Sequence, residues 1–192
     1  MRLLLLPLMA VLGACNMVIS EAPVFGEADR ATQSPSEGLW IGDDPECRFD
    51  PRVPESTWPD CALWVVVRDG GRNLLVSNRK GESQRVDALF VGGDPSIIQA
   101  RWLDNAKKDA TPIHVFYAYT PGDLDSDGHF RRAEVWAVEC GVQEKPNSDI
   151  RPFPGITPEC RPSSPDSVRS AARASSRSDE IKEWRWLRAE TP

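Results

Sequence analysis

The chain has 192 residues, with 23 Lys and Arg against 29 Asp and Glu for a formal net charge of −6. No basic block runs along it to track phosphates, so nucleic acid is excluded as an expected partner. Two histidines are present and no G-x-S-x-G, H-E-x-x-H or Walker loop occurs, so no catalytic residue is assigned and an enzyme is not expected.

In chain order, Met1 and Arg2 precede an apolar run from Leu3 to Leu12 broken only by Pro7. A charged start and a brief hydrophobic core are the marks of a secretory signal, and the run falls short of the about 20 apolar residues that span a bilayer. The following Leu12-Gly13-Ala14-Cys15 resembles the bacterial lipobox. That resemblance implies that residues 1–14 are a signal peptide and that the Cys15 thiol takes a diacylglyceryl group. Asn16 in place of an aspartate implies, through the same resemblance, an outer-membrane lipoprotein facing the periplasm. The expected location is therefore the cell envelope, with the membrane reached through the lipid anchor. Residues 15–37 show no sustained hydrophobic period and contain prolines, so they read as a lipidated N-terminus and flexible tether. As a random coil this tether would hold a domain on the order of 25 Å from the membrane.

Residues 38–192 are expected to form a single β-rich domain, long enough to bury a core. Strand formers dominate 62–68 (ALWVVVR), 73–77 (NLLVS), 86–91 (VDALFV), 96–103 (SIIQARWL), 113–119 (IHVFYAY) and 130–140 (FRRAEVWAVEC). Asp69-Gly70-Gly71, Gly92-Gly93-Asp94-Pro95 and Pro121-Gly122 supply turns between them. Near the end, Ser164 can cap a helix with Pro165 at its first position and a small-residue stripe of Val168, Ala171, Ala172 and Ser175. A last strand over 180–188 (EIKEWRWLR) places Trp184 and Trp186 on one face. The fold class is mainly β, α+β at most: an antiparallel sandwich or a partly closed barrel, with one C-terminal helix followed by a last strand.

Besides Cys15, four cysteines remain: Cys47, Cys61, Cys140 and Cys160. Three pairings are open, and proximity favours Cys47 with Cys61 and Cys140 with Cys160, each loop adding about 3 kcal/mol. A four-thiolate metal site is disfavoured because no C-x-x-C pair occurs.

Two motifs point to binding. DLDSDGHFRRAE, residues 123–134, resembles an EF-hand loop. That resemblance implies calcium ligation by Asp123, Asp125, Asp127, the carbonyl of His129 and Glu134, with Gly128 at the sharp turn. Gly38-Leu39-Trp40 resembles the G-x-W of lipocalins, which implies a barrel carrying hydrophobic ligands. GDPSIIQ (93–99), VECG (138–141), PGITP (154–158) and the helix followed by a Trp-rich strand make the domain similar to uncharacterised bacterial envelope lipoproteins, a likeness that brings no activity. The expected function is a non-catalytic binding or scaffolding domain whose partner is an unknown envelope protein or small ligand. The alternatives are a calcium-binding module and a lipocalin-like carrier, and no cofactor other than calcium is expected.

Overall fold

The alternating segments form strands in a computed structural model, which describes residues 16–42, 50, 52, 57, 61–67, 72–79, 82–103, 113–144, 149–175 and 182–188. Residues 1–15, which include the expected signal peptide and Cys15, together with Cys47 and the Asp69-Gly70-Gly71 turn, lie outside the described residues. The elements are β1 (Ile19–Ser20), β2 (Ser34–Pro35), β3 (Gly38–Gly42), β4 (Ala62–Val67), β5 (Arg72–Arg79), β6 (Glu82–Val91) and β7 (Ser96–Leu103). They continue with β8 (His114–Pro121), β9 (His129–Phe130), β10 (Arg132–Ala137), β11 (Gly141–Val142), β12 (Arg151–Pro152), the helix α1 (Pro165–Ser175) and β13 (Lys182–Arg188).

The fold is mainly β, with one helix and a final strand after it. Strands β3 to β8 and then β10 pair antiparallel in chain order, and β13 comes back to lie between β10 and β3. Because β7 also pairs with β8, the sheet curls until its pairings return to their start, which selects the barrel over the sandwich. Curling in this way leaves few open edges.

Period-two alternation assigns the two faces. Trp40, Val65, Val86, Ala88, Phe90, Ile98, Ala100, Tyr119 and Ala133 point inward and form one core cluster. Leu89, Val91, Ile97, Phe116, Ala118, Trp136 and Val138 point outward and form a second. Parts of β6, β8 and the end of β10 are thus apolar on both faces, which is why 88–91 (ALFV), 115–119 (VFYAY) and 135–138 (VWAV) read as unbroken apolar runs.

Helix α1 covers part of that outer face. Its N-terminus is capped reciprocally: Ser164 Oγ accepts from Ser167 N and Ser167 Oγ accepts from Ser164 N, both at 3.2 Å. Its buried stripe of Ser167, Val168, Ala171, Ala172 and Ser175 is small enough to let the helix backbone approach the sheet. Trp136 Nε1 therefore donates to Ala172 O at 2.9 Å, and Ser175 Oγ accepts from Glu139 N at 2.8 Å. At the other end Arg169 donates to Gly92 O and Pro95 O, at 2.8 and 3.0 Å, and so clamps the β6–β7 turn.

The expected flexible tether is corrected: residues 16–37 are part of the fold. Val18 and Phe25 are 0% and 2% exposed and belong to the outer core. The buried Gln99 side chain holds this segment, accepting from Val24 N and Phe25 N at 2.8 and 2.9 Å and donating to Phe25 O at 3.0 Å. Satisfying the Gln99 amide in this way removes the penalty of burying it. From β1, paired with β8, the segment climbs the outside of the barrel to the bridge between Arg30 and Val91. It then crosses the barrel end where β2 pairs with β9 before entering β3. Local sequence misses this because the partners that seat the segment on the barrel, Gln99, Val138 and Gly141, lie far along the chain.

Candidate ligand cavity

The inward residues do not fill the barrel. They enclose an apolar cavity of about 260 Å³, lined by Pro35, Trp40, Leu63, Val65, Leu75, Val86, Phe90, Ile98, Ala100, Tyr117, Tyr119, Phe130, Ala133, Val135 and Trp184. Small side chains at inward positions of the lining, Ala100 of β7 and Ala133 of β10, leave part of this space open. One end is closed by aromatic rings: Trp40 meets Phe130 at 6.0 Å between centroids, Phe90 meets Tyr119 at 5.4 Å, and Tyr119 stacks on Phe130 at 5.7 Å. The strap of β2 lies over this end, with Ser36 N donating to Phe130 O at 2.9 Å. Leu63, Leu75, Val86 and Ala100 carry the lining toward the other end, where β8 begins.

Trp40 is held by its polar edge, leaving its apolar body to the interior, whereas the Trp186 ring lies under the Arg131 guanidinium and outside the lining. Trp40 Nε1 donates to Ser36 O and Trp186 Nε1 to Glu37 O, both at 2.9 Å. Tyr119 is 1% exposed, and its hydroxyl has no hydrogen-bond partner. Burial pushes this phenol up to about 12, an effect the Ser96 side chain partly offsets without reaching hydrogen-bond geometry. It is a neutral group at any physiological pH. Among the described residues, the lining therefore carries no charge.

No protein-family model, curated protein or solved structure matches the chain.

The residues expected to hold calcium are not brought together. The segment is a β-hairpin tip, with Leu124 bridged to Phe130 and Asp125 N donating to His129 O at 2.8 Å. The Asp125 carboxylate is occupied by the turn itself, accepting from Asp127 N at 3.0 Å and His129 N at 2.9 Å. Those backbone donors, His129 first, hold its carboxyl below the usual range. Asp123 and Asp127 face solvent, and His129 Nδ1 lies 2.7 Å from Ser34 Oγ. Glu134 sits opposite Thr120 on β10, on the order of 15 Å from the tip at about 3.4 Å per residue. The flanks are strands where an EF-hand needs helices, so the chain never winds its carboxylates around one point. Among the described residues, no three His, Cys, Asp or Glu are placed to share a metal ion.

Cys140 and Cys160 form a disulfide, as proximity favoured. Cys61 is also disulfide-bonded, and its expected partner Cys47 lies outside the described residues. His114 faces outward beside Arg101 and Ser20, with Nδ1 unpartnered, and burial lowers its pKa. Lying in a row with Arg101 and Asp87, it has a structural setting.

The tyrosines and alanines of the cavity were not singled out from sequence. The usable signal was the column of small inward residues at alternate positions, visible once six strands are laid in register.

Proposed function

We propose that the chain is a lipid-anchored protein of the cell envelope that binds a small, uncharged lipophilic molecule inside its barrel, without catalysis. The observation that carries this reading is the apolar cavity of about 260 Å³ lined by Trp40 and Trp184. Its size is just under the roughly 300 Å³ at which sites for drug-sized ligands begin, so the ligand is compact. Charge is disfavoured because an unpaired carboxylate or ammonium among these side chains would lose its hydration with nothing in return. Acylation at Cys15, read from the lipobox, supplies the location. No described helix is long and apolar enough to cross a membrane.

The test is a titration of the purified chain with phenylnaphthylamine, an uncharged apolar fluorophore. The expected result is energy transfer from Trp40 and Trp184 that saturates at one probe per chain above the linear background of empty detergent micelles. A sulfonated analogue should give no saturating component. A strictly linear signal with the neutral probe overturns the reading. The mass of the native product, with residues 1–14 removed and a diacylglyceryl group on Cys15, tests the anchor separately.

A further inference from the structure

We propose that the ligand of the barrel is a flat aromatic compound of one or two fused rings, recognised by stacking on the Trp184 indole, and not an acyl chain. The proposal names the class of molecule and rests on the reading of the cavity put forward above. Three observations carry it.

First, Trp184 stands between two of the smallest residues. On β13 it pairs with Gly42 of β3 on one side and with Ala133 of β10 on the other. With no side chain at Gly42 the indole leans over that strand, and a Cβ placed there would lie 3.9 Å from both Cε2 and Cζ2 of the ring. Ala133 leaves the other flank low, and both Ala133 and Trp184 line the cavity. A ring seated over a glycine, with an alanine beyond it, turns a broad face to the space inside. Trp184 is only half-buried, whereas Trp40, Phe90, Tyr119 and Phe130 at the closed end are between 1% and 6% exposed. Ring surface that a ligand can cover is therefore concentrated at Trp184 and the half-buried Tyr117.

Second, the cavity is shallow. On the wall of β7, β8 and β10 its lining is two inward residues deep, with Ile98 and Ala100, Tyr117 and Tyr119, and Ala133 and Val135. Inward neighbours on one strand are about 7 Å apart. A fused pair of rings fits that depth, and an extended long chain overruns it.

Third, the closed end is rigid. Phe90 meets Tyr119 and Phe130 at 5.4 and 6.2 Å between centroids, Tyr119 stacks on Phe130 at 5.7 Å, and Trp40 is pinned through Nε1 to Ser36 O. Such a floor does not reshape itself around a flexible chain, and a rigid planar ligand gives up little freedom on binding to it. Each ring contact then raises affinity roughly twofold to tenfold beyond the effect of area burial.

The test is displacement of phenylnaphthylamine from the full-length chain in detergent micelles by naphthalene, decalin and decane, hydrocarbons with the same number of carbons, read by the emission of the probe itself. Comparison at equal mole fraction in the micelles cancels their different hydrophobicity. Naphthalene should displace the probe at a several-fold lower mole fraction than decalin, and decane should be weakest. In Trp184→Leu the advantage of naphthalene should disappear, and in Trp184→Phe much of it should return. In the native chain the proton resonances of bound naphthalene should move upfield, as they do over an aromatic face, which reads the stacking without any variant. Decalin or decane equal to naphthalene, an advantage that survives Trp184→Leu, or no upfield shift overturns the ring preference while the cavity reading stands. Failure of phenylnaphthylamine itself to bind saturably sinks the cavity reading and this proposal with it.

Discussion

Ala100→Leu asks whether the barrel interior is space or packing, and the two answers differ in sign. Ala100 is 2% exposed, lies between Ala88 and Val115 on the neighbouring strands, and borders the cavity. Leucine adds three carbons. In a cavity of about 260 Å³ these have room, and at about 0.8 kcal/mol per buried methylene the fold gains up to about 2 kcal/mol. In a filled core the same carbons would force neighbours off their rotamers and cost about 1–3 kcal/mol. Urea unfolding under non-reducing conditions measures the difference through a shift in midpoint at constant slope. For a domain of this size Tm should rise by roughly 4–8 °C. Phenylnaphthylamine binding should weaken in the same variant, since the added side chain takes ligand volume. A midpoint that falls by more than about 1 kcal/mol refutes the cavity. A midpoint that rises while binding stays unchanged moves the ligand elsewhere.

Phe25→Ala removes a ring that is 2% exposed, meets Phe116 edge-on at 6.4 Å and lies under Arg169, and it should cost about 3–5 kcal/mol in urea unfolding. A free tether would give no change. His114 is held neutral chiefly by burial, with Arg101 also lowering its pKa while a backbone bond at Ser20 and Asp87 oppose the shift. The unfolded chain therefore binds its proton first, so the contribution of His114 is full above pH 6.5 and is lost as pH falls toward the depressed folded value. His114→Gln should flatten that slope in a series of unfolding curves between neutral and mildly acid pH, and an unaltered slope would show that other groups carry it. Cys140→Ser with Cys160→Ser opens a loop of 20 residues and should lower stability by about 3 kcal/mol in the same assay, with an unchanged midpoint counting against it.

Much of the barrel was legible because strand signals are local. Alternation and turn residues located β4 to β8 to within a few positions, and Ser164, Pro165 and the stripe ending at Ser175 located the helix and its buried face. The Gly38-Leu39-Trp40 tripeptide and the order of helix then strand pointed to the barrel, although neither distinguishes a filled interior from a hollow one. That difference depends on which small residues come together on the inner face of neighbouring strands, such as Ala88 beside Ala100, and registers of this kind are not written in any one segment. The N-terminal segment was misread for the complementary reason. Its order comes from Gln99, 74 positions from Phe25, and from Gly141, 125 positions from Asn16. The acidic turn misled because Asp and Gly serve hairpin tips as readily as cation loops, and only the strands on either side tell them apart.

Strand β8 ties the interior to the cover. Its odd residues Tyr117 and Tyr119 line the cavity, while its even residues His114 and Phe116 meet β1 and Phe25 outside. A slip of one residue would put the tyrosines under the N-terminal segment and His114 inside an uncharged cavity, so both faces specify the same register. The seating of the N-terminal segment and the lining of the cavity are then consequences of one pairing. Any substitution that loosens β1 from β8 acts on the strand that carries both tyrosines, although residues 16–20 do not themselves line the cavity. Loss of the hydrogen bonds between Asn16 and Gly141, as in Asn16→Ala, should therefore act on the cavity through β1 and β8.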